Sequence, residues 1–177
     1  MDEQQLLLRL RDDSNTRERA FRELVEQYSE QLYWTVRHIV GTHQDADDVV
    51  QNAFIKIWNK LEDFRGESKL STWLHRIAVN EALDHIRREK KHQNDDGDTT
   101  ELNKSFADTY FDGDEAERML REAMETLPSA QRAVFSLKYF EDKPYKEISE
   151  ILGTSEGGLK ANYHYAVEKI RKYLTTH

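Results

Sequence analysis

The sequence predicts an all-α protein made of two small helical domains that an acidic, flexible linker joins. Apolar residues recur at three- and four-residue steps along most of the chain, and no useful length of strand-like alternation is present. Only two prolines and seven glycines interrupt the 177 residues, of which 37% are hydrophobic. A chain of this length and composition suits two modest cores. We expect a first domain at 1–92, the linker at 93–114 and a second domain at 115–177.

Three helices are expected in the first 61 residues. The first is short and lies around Leu6 to Leu10. The second ends at Gly41, which can take the left-handed backbone conformation, and Asp45 or Asp47 can cap the third. The apolar stripes of the second and third helices are, in order, Phe21, Leu24, Val25, Tyr28, Leu32, Val36 and Ile39, then Val50, Phe54, Ile57, Trp58 and Leu61.

A fourth helix is expected to begin at Ser71 or Thr72 and to run to about Lys91. The segment before it breaks the helical period at Gly66. Residues 65–91 carry seven basic and four acidic side chains, a local charge of +3. Such a basic cluster indicates contact with an anionic partner such as nucleic acid.

One face of this fourth helix combines an aromatic ring, two cations and an amide, and we call it the aromatic–basic face. Its residues fall at steps of three, four and seven: Trp73, Arg76, Asn80 and Arg87. Stacking together with a basic groove is how proteins hold single-stranded nucleic acid. A core position for Trp73 is the alternative, although Leu74 and Ile77 already contribute to a neighbouring apolar face.

The net negative charge of the chain comes from one segment. The formal net charge is −8, and residues 93–117 alone hold nine acidic side chains and one basic side chain. The remainder of the chain is balanced. Because the segment is polar, contains two glycines and lacks a helical stripe, we interpret it as a linker.

Several function classes are disfavoured by what the sequence lacks. With no cysteine, the chain has no disulfide framework and no thiolate metal site. No nucleophile-and-base motif, phosphate-binding glycine loop or zinc spacing appears, so we expect no catalysis, no cofactor, no metal and no small-molecule substrate. The N-terminus lacks a secretion signal and no apolar stretch could span a bilayer, so a cytoplasmic protein without membrane insertion is expected.

The second domain is predicted to contain a helix-turn-helix. Gly153 can end its first helix, and Ser155 can cap the second. Inward-facing positions of the second helix are Leu159, Tyr163, Ala166 and Ile170, and positions nearer solvent are Glu156, Lys160, Ala161, His164 and Tyr165. This arrangement can place a helix in the major groove of DNA. A plain helical hairpin that binds nothing is the alternative.

Four motifs in order resemble those of the extracytoplasmic-function (ECF) sigma factors, two-domain bacterial subunits that direct RNA polymerase to promoters. They are DADDVVQNAF from Asp45, FRGES from Phe64, STWLHRIAVN from Ser71, and Leu127-Pro128 with the helix-turn-helix. The resemblance covers nearly the whole chain except the linker. It implies core RNA polymerase and promoter DNA, both duplex and single-stranded, as partners, together with an anti-sigma factor.

The resemblance also implies a role for each of three residue sets. Docking on core polymerase falls to the outward face of the third helix: Asp48, Gln51, Asn52, Ile55 and Asn59. Recognition and melting of the minus-ten element fall to Phe64, Arg65, Lys69, Trp73, Arg76, Asn80 and Arg87. Recognition of the minus-thirty-five element falls to Ser155, Gly158, Lys160, Ala161, His164 and Tyr165. The family commonly has glutamate at the position of Asn52 and a hydroxyl residue at that of Gly158.

Two other functions compete with that of a sigma factor. A stand-alone helix-turn-helix regulator would bind duplex DNA as a dimer, and an aromatic and basic single-strand face would be superfluous in it. A sigma mimic that sequesters an anti-sigma protein would, by resemblance, also carry a receiver domain, which this sequence lacks.

Overall fold

A computed structural model of the chain describes residues 2–96 and 115–177, and these residues form an all-α structure. The helices are α1 (Glu3–Leu10), α2 (Ser14–Val40), α3 (His43–Lys60), α4 (Leu70–Asp96), α5 (Glu115–Glu125), α6 (Ser129–Phe135), α7 (Tyr145–Leu152) and α8 (Glu156–Thr176). A 3-10 turn at Leu61–Asp63 follows α3, and a π-helical turn at Ser136–Phe140 follows α6. The predicted fold class, two helical domains without strands in the described residues, is confirmed.

The boundary between α2 and α3 agrees with the prediction at one end and differs at the other. Gly41 ends α2 with a φ of 92°, in the left-handed region that favours glycine. The N-cap of α3 is Thr42, whose hydroxyl accepts the Asp45 N–H at 3.2 Å, so the predicted caps Asp45 and Asp47 are wrong. Thr42 takes the extended conformation directly after the glycine, and α3 therefore begins before either aspartate.

Helix α4 is longer than predicted at both ends. It begins at Leu70, and not at Ser71 or Thr72, because a Glu3 carboxylate oxygen accepts the Leu70 N–H at 2.8 Å. It continues to Asp96, through the first residues that we assigned to the linker, since no glycine or proline occurs between residues 67 and 96. The rest of the predicted linker, 97–114, lies outside the described residues.

The first domain is organised by α2, α3 and α4, which pack against one another. Leu24, Leu32 and Ile57 from the predicted stripes are fully buried in its core. At the edge of the core, the ring centroid of Phe21 lies 4.9 Å from that of Trp58 in an edge-to-face arrangement.

The second domain packs directly against the first. Helix α7 lies against α4, and α6 and the π-helical turn contact α2. At the end of α2, Arg132 of α6 donates a hydrogen bond from Nη1 to the Ile39 carbonyl at 3.0 Å. Buried second-domain residues continue the apolar core of the first domain: Ala133, Val134, Leu137, Ile148, Ile151 and Leu159. Part of the second domain thus shares the apolar core of the first, and its other buried residues form a separate cluster: Ala123, Met124, Leu127, Phe135, Ala166 and Ile170.

Candidate nucleic-acid and polymerase interfaces

The aromatic–basic face of α4 lies beside a cavity at the boundary between the two domains. Trp73 is half-buried, and its ring centroid lies 5.1 Å from that of Phe64. Arg76 is also half-buried, whereas Asn80 and Arg87 are exposed. Trp73 thus packs part of its surface against the core and keeps the remainder accessible. It therefore combines the two roles that the sequence left open, a core position and an accessible aromatic surface.

The cavity has a volume of about 460 Å³, within the range of about 300–1,000 Å³ that is usual for ligand pockets. In the loop before α4, Gly66 has a φ of 77°, and a side chain added there would meet open space. The cavity is lined by Asp63, Phe64, Arg65, Glu67, Ser68, Trp73, Arg76 and Glu150. An aromatic wall beside arginine side chains offers a flat base a stacking partner and its phosphate a cation.

The three predicted contact residues that precede α4 differ in accessibility. Arg65 and Lys69 are exposed, as a phosphate contact requires. Phe64 is only 4% exposed, and its carbonyl accepts a hydrogen bond from Arg11 Nη2 at 2.8 Å. Its ring supports Trp73 and forms part of the cavity wall, because an apolar ring at this loop gains more from burial than from solvent.

A buried carboxylate that the sequence reasoning missed connects α3 to α4 behind this face. Glu81 is 3% exposed and accepts hydrogen bonds from Lys56 of α3 and Arg88 of α4. Burial raises the pKa of Glu81, but the hydrogen bonds and charges of Lys56 and Arg88 outweigh burial and hold it below its ordinary value. The available signal was an acidic residue beside Ala82 within the apolar stripe of α4.

The outward face of α3 is accessible along its whole predicted length. Ile55, the apolar residue of this face, is 59% exposed. The other residues of the predicted docking set are also exposed: Asp48, Gln51, Asn52 and Asn59. The face is therefore free to contact a partner in this arrangement of the domains.

The helix-turn-helix of the second domain has the predicted turn. Gly153 ends α7 with a φ of 70°, and the Ser155 hydroxyl accepts the Gly158 N–H at 3.2 Å at the start of α8. The space around Gly158 is tight, because an added Cβ would lie 3.2 Å from Ser155 Oγ and from Thr154 Cγ2. This crowding gives a local reason for glycine at this position. The Ser155 hydroxyl is already engaged in capping.

The predicted reading residues of α8 share an exposed face. Lys160, Ala161, His164 and Tyr165 are all exposed, while Leu159, Ala166 and Ile170 are buried, as the spacing predicted. Two of the exposed side chains have internal partners. Lys160 Nζ lies 5.7 Å from the Tyr145 ring centroid, and His164 Nε2 lies 3.1 Å from a carboxylate oxygen of Glu168.

Two sequence families account for most of the chain. Residues 24–92 match the family Sigma-70 region 2, and residues 117–170 match the family Sigma-70, region 4. The chain is 31% identical over 166 residues to the ECF RNA polymerase sigma factor SigW of Bacillus subtilis, covering 88% of this chain and 89% of SigW. This chain belongs to the ECF sigma factors. The RNA polymerase sigma-H factor of Pseudomonas aeruginosa is 34% identical over 172 residues, covering 88% of this chain and 86% of that protein.

Solved structures support the fold of this ECF sigma factor. CnrH, in complex with the cytosolic domain of CnrY, superposes with a TM-score of 0.70 at 22% identity, over 98% of this chain and 97% of that chain. The sigma factor RpoE in complex with the anti-sigma factor NepR, from Bartonella quintana, also gives a TM-score of 0.70 at 22% identity, over 88% and 96% of the two chains.

Family membership decides between the functions that the sequence left open. As an ECF sigma factor, the protein is an RNA polymerase subunit that acts in transcription initiation, and the alternative of a stand-alone regulator is no longer needed. The structure keeps the three predicted residue sets on three separate surfaces, on α3, around α4 and on α8. Among the described residues, no helix is long and apolar enough to cross a membrane. The described residues also contain no group of three metal-ligating side chains.

Proposed function

We propose that this ECF sigma factor uses three separate surfaces to bind core polymerase and two promoter elements. The outward face of α3 docks on core polymerase, α8 reads the minus-thirty-five element, and the aromatic–basic face captures the melted minus-ten strand. We also propose the domain division 1–92, 93–114 and 115–177, in which the last four residues of α4 lie in the segment that joins the domains. The observation that carries it is the cavity beside Trp73 and Arg76, because it joins a stacking surface to cations next to the loop that Gly66 turns.

Docking through α3 is supported by the character of its exposed face. Ile55 provides an apolar centre, the uncharged polar side chains of Gln51, Asn52 and Asn59 surround it, and the one charged residue of the set, Asp48, lies toward the start of α3. Protein interfaces are depleted of charged residues at their centre and keep polar groups at the rim. With Asn52 in place of a glutamate, one charge-assisted hydrogen bond to the polymerase is absent, so affinity for core should be lower than for a glutamate at this position.

Recognition of duplex DNA through α8 is supported by the exposure of its first turns. Lys160 supplies the cationic group there, His164 adds an imidazole, and no arginine lies among the reading residues. Bidentate recognition of guanine is normally made by arginine. We therefore expect α8 to rely on single hydrogen bonds and apolar contacts, with Tyr165 as the largest exposed side chain of the set.

The remaining parts of the proposal concern partners and location. We propose an anti-sigma factor as a regulatory partner, since RpoE was solved with the anti-sigma factor NepR. We further propose that the protein is not itself an enzyme and that it works in the cytoplasm. A sigma factor lends promoter specificity to a polymerase that performs the chemistry, and core polymerase and chromosomal DNA are cytoplasmic in bacteria.

Run-off transcription with core polymerase tests the function, and a pair of variants tests the docking surface. The parent protein should direct core polymerase to a defined start site, and Ile55→Glu should lose this activity together with core binding. Leu8→Glu is the matched control, because Leu8 is an equally apolar side chain, 70% exposed, outside the proposed surfaces. Transcription that stays promoter-blind with the parent protein contradicts the function. Equal core binding by the two variants contradicts the docking surface.

A further inference from the structure

The loop of residues 64–69 leads from Phe64 to the first turn of α4, which carries Trp73. Most of its residues are exposed: Arg65, Gly66, Glu67 and Lys69. An exposed loop has few packing contacts of its own, so its position depends on how its two ends are held. The two ends therefore set how the rings of Phe64 and Trp73 meet, with their centroids 5.1 Å apart.

Both ends of this loop are held by α1. At the start of the loop, Arg11 Nη2 donates a hydrogen bond to the Phe64 carbonyl at 2.8 Å. At its end, a Glu3 carboxylate oxygen accepts the Leu70 N–H, also at 2.8 Å. Glu3 is the first residue of α1 and Arg11 directly follows its last residue, so the two ends of one eight-residue helix hold the two ends of the loop. We call this pair of hydrogen bonds the α1 clamp.

Helix α1 is itself fixed to the first domain. Leu6 and Leu10 are buried in the core of that domain. Arg9 donates two hydrogen bonds to the Glu23 carboxylate of α2, both at 2.8 Å. A bidentate arginine–carboxylate pair fixes orientation as well as distance. The α1 clamp is therefore anchored to the core of the domain, unlike the loosely held chain ends that are common in proteins.

Glu3 caps α4 from outside that helix. The first N–H groups of an α-helix have no partner within it, and this end of a helix favours negative charge. The Trp73 N–H bonds to the Lys69 carbonyl at 3.1 Å, so the turn that Glu3 caps is the turn that carries Trp73. Loss of the cap would let this turn fray and would release the tryptophan ring from its position.

Arg11 acts on the neighbouring ring. Phe64 is buried, and its ring lies against that of Trp73. The guanidinium of Arg11 holds the Phe64 carbonyl by a hydrogen bond to a charged group, which is stronger than one between neutral groups. Because a fixed peptide group fixes the direction of its side chain, α1 supports Trp73 twice, through its helical turn and through the ring beside it.

The two clamp residues lie behind the cavity proposed for the minus-ten strand. Eight of the described residues line that cavity, and Glu3 and Arg11 are not among them. Glu3 is also an anion, so a direct effect on DNA phosphates would be repulsive, and its removal would strengthen binding. Support of Trp73 predicts the opposite sign. The sign of the effect therefore distinguishes positioning from simple electrostatics.

We propose that Glu3 and Arg11 are positioning residues for the minus-ten site, and that the α1 clamp holds Trp73 ready to stack on the melted strand. The inference rests on the proposed function, because it takes Trp73 as the stacking residue. It adds a role for a helix that precedes residues 24–92, the part of the chain that matches Sigma-70 region 2. A ring that is held before the strand arrives loses less conformational freedom on binding.

Clamp variants of the full-length protein test the proposal. Glu3→Ala removes the cap, whereas Glu3→Gln keeps an oxygen acceptor on a side chain of the same shape. Arg11→Ala removes the donor to the Phe64 carbonyl. Gln5→Ala, on α1, and Arg19→Ala, on α2, are the matched controls, because both side chains are exposed and lie outside the clamp.

The first measurement is fluorine NMR of protein labelled with 5-fluorotryptophan. The chain has three tryptophans, so three resonances are expected, and single Trp→Phe substitutions assign them. The change in each resonance between H2O and D2O reports solvent access to that ring. In Glu3→Ala and Arg11→Ala, solvent access should rise at Trp73 and stay unchanged at Trp34 and Trp58.

Trp58 shows whether the domain itself is intact, because it packs against Phe21 at the edge of the core. Glu3→Gln should restore most of the parent's spectrum, and the two control variants should match it. A Trp73 resonance that stays unchanged in either alanine variant overturns the proposal. An equal change at Trp58 also overturns it, because the effect would then be a general loosening of the domain.

The second measurement is permanganate footprinting of the open complex, with core polymerase and a promoter from which the parent starts. Glu3→Ala should lower the equilibrium constant for opening on the order of fivefold, the size of one lost helix cap. Stronger opening, as removal of an anion near DNA would give, overturns the proposal. The double variant with Trp73→Ala should open as well as Trp73→Ala alone, because Glu3 acts through that ring. Additive losses would contradict this.

The two measurements keep the proposal separate from the proposed function. If circular dichroism shows that Glu3→Ala is unfolded, Arg11→Ala and its double variant with Trp73→Ala decide the question. Promoter-blind transcription by the parent contradicts the proposed function. Fluorine NMR needs neither polymerase nor DNA, so it decides whether α1 holds Trp73 in either case.

Discussion

The stability of this protein should fall on mild acidification because of one histidine at the domain boundary. His38 of α2 stacks on Phe140 of the second domain, with ring centroids 3.8 Å apart and planes 3° from parallel. The pKa of His38 is lowered from 6.5 to about 4, chiefly by burial, while the charge of Glu141 opposes the shift and the charge of Arg37 adds to it. The folded protein therefore resists protonation of a ring that protonates freely when exposed.

The sign and size of the effect follow from proton linkage. Between the exposed pKa of 6.5 and the folded pKa of about 4, the unfolded chain binds more protons at His38 than the folded chain does. The free energy of unfolding therefore rises with pH through this window and is unaffected by His38 at alkaline pH. Acidification from pH 7 to pH 5 should remove about 2 kcal/mol.

Urea unfolding followed by tryptophan fluorescence at pH 5, 6 and 7 measures the effect, with His38→Gln as the test variant. The variant should lose the part of the pH dependence that His38 contributes. His164→Gln is the matched control, the same substitution at a histidine whose side chain is 67% exposed. An NMR titration of the His38 ring checks the cause directly. A midpoint near 6.5 for His38, or equal pH dependence in the parent and His38→Gln, would refute the reasoning.

Three further predictions concern single residues. Trp73→Ala should weaken the open promoter complex by about 1–3 kcal/mol through loss of base stacking, measured by permanganate footprinting; Trp34→Ala, at a tryptophan on α2 that is 51% exposed, should leave the footprint unchanged. Gly153→Ala should lower the melting temperature, because a φ of 70° costs a non-glycine residue about 1 kcal/mol. Gly157→Ala, in a helix and with open space around its Cβ, should raise it by an amount that corresponds to about 0.5 kcal/mol. Glu81→Ala should lower the free energy of unfolding by about 2 kcal/mol, since it removes hydrogen bonds to two cationic groups; a loss near zero in urea unfolding would contradict a structural role.

Features that depend on residues close together in the chain were predictable from the sequence. The all-α class, the end of α2 at Gly41 and the turn from Gly153 to Ser155 all agree with the structure. The exposed face of α8 was also predicted, because helical spacing alone decides which side chains share a face. Each of these features depends on residues only a few positions apart, so both interacting residues can be recognised within a short stretch of sequence.

Features that depend on distant residues required the tertiary structure. The start of α4 at Leu70 is capped by Glu3, and the extension of α4 to Asp96 shortened the segment we had assigned to the linker. Phe64, predicted as a contact residue, is held in the core beside Trp73. The sequence identified the chemistry of the minus-ten surface, but it contained no signal for how much of each side chain stays accessible.

The docking of the two domains shows most clearly what the sequence determined and what it did not. Composition and periodicity determined that there are two helical domains, and the motifs determined the family to which they belong. The contact of Thr35 with Glu141 joins residues 106 positions apart, and that of Arg76 with Glu150 joins residues 74 positions apart. Neither pair is marked in the sequence, because a threonine, an arginine and a glutamate are ordinary surface residues, and the Glu150 carbonyl an ordinary backbone group, until another helix packs against them. Only the three-dimensional packing, which depends on the complementary shape of two apolar faces, decided that these polar groups would meet.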